Sequence, residues 1–141
     1  MSVNKFKARL QAFRRDEAGS ASIEALIWVP IFVFFLVLVI DVSFILFGRA
    51  QALQVVQDGN RKLAVGNFSS NNPLLEAQTF MQNTLAPYAP NAVVDFPTVD
   101  YATGVVTSVV SIPATDLMMV GSIPVFANTQ IKIFAQHFLE L

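Results

Sequence analysis

The chain has 141 residues, 54% of them hydrophobic and 13% charged, with a positive mean hydropathy, which is too apolar for an average small soluble domain. A formal net charge of −1 averages a basic N-terminus with a mildly acidic remainder, so only the asymmetry between the two is informative. There is no cysteine, so the fold does without disulfides whatever its compartment.

In residues 1–15, Val3, Phe6, Leu10 and Phe13 recur at helical spacing, while Lys5, Lys7, Arg9 and Arg14 fall largely on other faces. Such a segment either lies on an anionic membrane surface or is a basic tail that fixes topology. Neither reading calls for nucleic acid, because no aromatic platform or base-reading motif accompanies the charges.

Ala25 to Phe47 reads ALIWVPIFVFFLVLVIDVSFILF, with Asp41 as its only ionisable group. About 23 residues make roughly 35 Å of helix at a rise of 1.5 Å per residue, enough to cross a bilayer. One Asp inside the span costs at most about 3 kcal/mol on insertion scales and is outweighed by the surrounding Leu, Ile, Phe and Val. A cleaved secretory signal is the less favoured reading although Ala50-Gln51-Ala52 reads A-x-A. The apolar run far exceeds the roughly 7–15 residues of a signal core, and Gly48 and Arg49 intervene before that site. Basic residues Lys5, Lys7, Arg9, Arg14 and Arg15 precede the span, whereas four basic residues face six acids after it. The N-terminus is therefore expected in the cytoplasm and residues 48–141 outside. Trp28 suits the inner interface.

Beyond the span, GRAQALQVVQDGNRKLAVG keeps an amphipathic helical pattern with no proline before Pro73. One helix is predicted from about Ser20 to about Val65, stopping at Gly66-Asn67. Pro73 to Leu85 predicts a second, short helix with proline in its first turn and Leu74, Ala77, Met81 and Leu85 on one face. NAVVDFPTVDY and VVTSVVSI, separated by Ala102-Thr103-Gly104, predict a hairpin whose first strand is broken or marginal at Pro97. TQIKIFAQHFLEL alternates Ile131, Ile133, Ala135 and Leu139 against Gln130, Lys132, Gln136 and Glu140, and predicts a further strand. The intervening PATDLMMVGSIPVFAN is too apolar for a solvated tether and is expected to lie across the sheet or against a partner. The chain past Gly66 is near the size at which one core barely outweighs chain entropy, so packing on helix 48–65 or on another subunit is expected.

The fold class is thus α+β: a long N-terminal helix, membrane-spanning then amphipathic, a short second helix, and a small antiparallel sheet of about three strands. The organisation reads as a basic cytoplasmic leader over 1–19, the long helix over 20–66 with its span at about 25–47, and a small extracytoplasmic α+β domain over 67–141. No nucleophile-elbow, zinc-protease, phosphate-loop or dinucleotide motif occurs, so no enzyme, cofactor or metal is expected. The lone His137 reads as a surface or rim residue of its strand, and the ectodomain acids lack calcium-loop spacing.

What remains is the threshold of the span, RRDEAGSASIEALIW, where Glu24 stands just before the apolar run. Cleavage between Gly19 and Ser20 would create an α-amine four residues from Glu24, about one helical turn. A cation there relieves the cost of a carboxylate near lipid, on the same or an adjacent subunit. Alternatively, Gly19 is a linker and Glu24 rests in the headgroup zone, favoured by the helix dipole.

Gly19-Ser20-Ala21-Ser22-Ile23-Glu24 followed by an apolar helix resembles the G/xxxxE site of type IV prepilin peptidases. The pattern RRDEAGSASIEALIWVPIF, then IDVSFILFGRAQ and an amphipathic continuation, resembles the TadE-like pseudopilins of the tight-adherence (Tad, Flp) pilus machinery. Ala25 stands where that family usually has Tyr or Phe, and the Phe usual just after the cut in type II secretion pseudopilins is absent. A Flp major pilin is much shorter, which points to a minor component. The resemblance implies processing at Gly19 and Ser20, an assembly role for Glu24, and a helix bent or unwound at Pro30. Asp41 is left between a polar contact with another helix in assembly and a side chain reaching the interface. The implied partners are the membrane, the prepilin peptidase, and other Tad pilins, pseudopilins and assembly-platform proteins; the implied location is the bacterial inner membrane, single-pass, with possible incorporation in a pilus. The alternative is an unprocessed single-span subunit whose ectodomain recruits or senses an envelope partner.

Overall fold

A computed structural model describes residues 17–69, 71–121 and 124–140, with the side chains of residues 17–21 and 125 outside the description. The amphipathic reading of residues 3–14 lies outside the described residues. Helix α1 runs Glu17–Ala64 with Pro30 inside it, starting about three residues before the predicted Ser20. Helix α2 is Pro73–Leu85, followed by strands β1 (Val93–Val94), β2 (Thr98–Asp100) and β3 (Val105–Pro113). A one-turn helix α3 (Ala114–Leu117) and a 3-10 turn at Pro124–Phe126 precede strand β4 (Gln130–Phe138). The chain forms two compact units divided after Val37.

In the first unit, every residue from Ser22 to Leu36 on α1 is exposed, including Leu26, Trp28, Phe32 and Phe34. A helix that is apolar all round is not a surface helix of a water-soluble domain; it needs an apolar medium.

In the second unit α1 changes character. Asp41, Gly48, Ala52, Val56, Gly59, Asn60 and Leu63 are buried, with Ile45 partly so, and they recur every three or four residues as one stripe. The helix ends where expected. Gly66 takes φ +67, its N–H donates to the Leu63 carbonyl, and the Asn67 N–H reaches back to the Lys62 carbonyl at 2.9 Å. That pair of bonds is a Schellman closure, which requires the left-handed backbone that glycine adopts without strain.

Helix α2 has the predicted bounds. Asn72 caps it by accepting from the Leu75 N–H, Pro73 occupies the first turn, and Ala77, Met81 and Leu85 are buried. Leu74 packs at the margin of the same core.

The sheet has four strands rather than about three, because the run NAVVDFPTVDY is split. β1 and β2 both pair antiparallel with β3, at Val94↔Val110 and Thr98↔Thr107, and β4 pairs along the whole of β3. Between them Pro97 donates no hydrogen bond and one extra residue is accommodated, as in a bulge. The Asp95 N–H still donates to the Val109 carbonyl. On one sheet face Val106, Ser108, Val110, Ile112, Ile133 and Ala135 are buried, and they share a core with Ala52, Val56 and Leu63 of α1 and with α2. The small C-terminal part thus borrows the outer half of α1 for its core, as its size demands. Gln78 and Gln82 of α2 tie down the β1 edge, donating to the Val94 carbonyl at 2.8 Å and the Ala92 carbonyl at 2.7 Å.

The β2–β3 turn is held by Asp100, whose carboxylate accepts from the Ala102 N–H at 2.9 Å and the Thr103 hydroxyl at 2.7 Å. Those bonds, the Thr103 one first, lower its pKa from the ordinary 3.8. The carboxylate therefore favours the folded turn above about pH 4, and this contribution disappears as pH falls through the depressed value. NMR titration of Asp100 in the full chain should place its midpoint below 3.8; Thr103→Val should raise it. A midpoint unaffected by that substitution contradicts the assigned bonding.

Candidate functional site: the membrane threshold and the outer end of the span

Two places on α1 carry polar groups where apolar residues prevail. At the inner threshold, Gly19 and Ser20 lie in the helix's first turn. Glycine is a poor helix former, so Gly19 weakens α1 locally. Glu24 is the next helical turn along. It is exposed, and among the described residues it makes no ion pair. Trp28 and the surrounding Ala25, Val29, Phe32 and Val33 form an open, almost wholly apolar surface just beyond it.

Toward the C-terminal end of the apolar run stands Asp41, fully buried at 0% exposure. One carboxylate oxygen accepts from the Val120 N–H at 2.9 Å, while the other has no hydrogen-bond partner. The helix approaches this segment closely: a Cβ at Gly48 would fall 2.6 Å from a Leu117 methyl. Leu117 and Val120 of the apolar stretch after β3 therefore lie against α1.

A third polar group on the same stripe, Asn60, sequence reasoning passed over. It is fully buried; its amide donates to the Ala135 carbonyl at 2.9 Å and its oxygen accepts from the Ser108 hydroxyl, so one side chain bridges α1 to β3 and β4. The signal was present: Asn60 follows Ala52 and Val56 at successive steps of four on the apolar face. His137 is at the rim, its Nε2 3.8 Å from a Glu140 oxygen. Among the described residues no three His, Asp or Glu side chains gather where a metal could bind.

The arrangement is that of a helix to be packed, with its exceptional groups at either end of an apolar segment. Residues 19–61, wholly within α1, match the family described as TadE-like protein. That segment is similar to the family. The match begins at Gly19 and takes in Glu24, Pro30, Asp41 and Asn60. No curated protein and no solved structure matches the chain. Among the described residues, one helix is long and apolar enough to cross a membrane.

Proposed function

We propose that this TadE-like chain is a minor pilin or pseudopilin of the Tad pilus, cut between Gly19 and Ser20 by a prepilin peptidase and assembled through its N-terminal helix. The observation that carries the reading is Glu24, an exposed carboxylate at the mouth of an apolar helix, one turn from the bond whose cleavage would supply its counter-charge. Before cleavage the chain resides in the inner membrane as a single-pass protein, N-terminus cytoplasmic, in keeping with its charge asymmetry. Its partners are other pilins or pseudopilins and the assembly platform, met through helix packing rather than chemistry. Gly19 supports this, since a glycine weakens the helix at the bond a peptidase must unwind. Pro30 leaves one turn of the helix short of a hydrogen bond, a place where the packed helix can bend.

The test is the N-terminal mass of the protein from cells with and without the peptidase. A chain beginning at Ser20 only when the peptidase is present is the expected result. An intact N-terminus in both would favour an unprocessed single-span subunit whose ectodomain engages an envelope partner, and would end the pilin reading.

A further inference from the structure

The segment after α3 descends along the helix toward the span. Leu117 is seated at Gly48, whereas Val120 bonds Asp41, seven residues nearer the N-terminus of α1. Seven residues of helix rise about 10 Å, which three residues of extended chain also cover. Met118 is indeed extended, at φ −76 and ψ 145, and Gly121, at φ +66, adopts a conformation suited to a turn just past Val120. The descending piece ends in apolar side chains that stay exposed: Met119 is 69% and Val120 50% exposed. Beside Asp41 on α1 are Ile40 and Phe44, also exposed, and Asp41 itself lies six residues inside the outer end of the apolar run.

We propose that Met118–Gly121 is a membrane-dipping tip that rests in the outer boundary of the bilayer against α1, its occupant being lipid. A loop at that depth must satisfy its backbone without water, and Asp41 does this for the Val120 N–H. The same bond gives an otherwise unaccompanied carboxylate a donor, so the two groups that lipid would penalise accommodate each other. Met119 and Val120 then extend the apolar surface begun by Ile40 and Phe44. The tip fixes how deeply the C-terminal unit sits on the membrane. The inference rests on the single-span reading but on neither cleavage nor assembly, so its failure is separable from failure of the pilin proposal.

Because the chain has no cysteine, a nitroxide can be placed at a single site of the full protein in phosphatidylethanolamine and phosphatidylglycerol nanodiscs. Labels at Met119→Cys, at lipid-facing Phe44→Cys and at exposed Thr84→Cys on α2 are compared for relaxation by oxygen, which concentrates in lipid, and by a neutral nickel chelate, which stays in water. The Met119 label is expected to behave like the Phe44 label, with oxygen favoured several-fold over nickel relative to the Thr84 label. Nickel access equal to that at Thr84 overturns the proposal. Exclusion of both reagents also overturns it, since a second protein copy would then be covering the tip. Asp41→Asn should keep the oxygen preference, since the amide oxygen still accepts from Val120, whereas Asp41→Leu should move the Met119 label toward water.

Discussion

Glu24→Ala is expected to leave the chain processed at Gly19 yet abolish or severely reduce piliation. The scissile bond and the carboxylate are one helical turn apart, so the substitution does not touch the bond that is cut. On the proposed processing, what it removes is the partner for the α-amine that cleavage would create at Ser20. That amine, brought against apolar neighbours in a packed bundle, would be left without compensation, and an unpaired charge is penalised far more in lipid than in water. Glu24→Gln separates charge from shape: it retains the volume and hydrogen-bonding oxygen but cannot neutralise a cation, so it should fail nearly as badly. Glu24→Asp should recover part of the activity. Intact mass measures processing and electron microscopy counts filaments. Normal piliation in both the Ala and Gln variants would remove the pairing role.

The second large effect is expected at Asn60. In Asn60→Ala the Ser108 hydroxyl and the Ala135 carbonyl both lose a buried partner. Each such loss costs about 1–3 kcal/mol, so a destabilisation of about 3 kcal/mol is expected, before any cavity left by the shortened side chain. Amide exchange in β3 and β4 of the full chain in micelles should accelerate about a hundredfold if those strands open as a unit. Ser108→Ala alone strands the Asn60 oxygen. The double variant should cost less than the sum of the two singles, because the group stranded by one change is removed by the other. Strict additivity would show that the bridge between α1 and the sheet is not a coupled network.

Local features of this chain were legible in its sequence because each depends on residues a few positions apart. Pro73 in a first turn, the Gly66 closure, the break at Pro97 and the alternation of Ile131, Ile133 and Ala135 all follow from backbone geometry and side-chain period. The split first strand shows the limit of that reasoning: Pro97 announces an interruption, but only pairing with β3 decides that both pieces stay in the sheet as β1 and β2. The proposed processing constellation Gly19, Ser20 and Glu24 lies within a single run of the chain, so reading it needs no tertiary contact.

By itself, then, the sequence determined the long apolar helix, the α+β succession and the likeness of residues 19–61 to the TadE-like family, all properties of adjacent residues. Only the tertiary structure decided what the outer polar groups meet: Asp41 finds Val120 across 79 residues, and Asn60 finds Ser108 across 48. No periodicity encodes such pairs. They arise because the C-terminal unit, too small to close a core alone, folds back on the outer half of α1, and buried polar groups must then take whichever donors and acceptors that packing brings within reach.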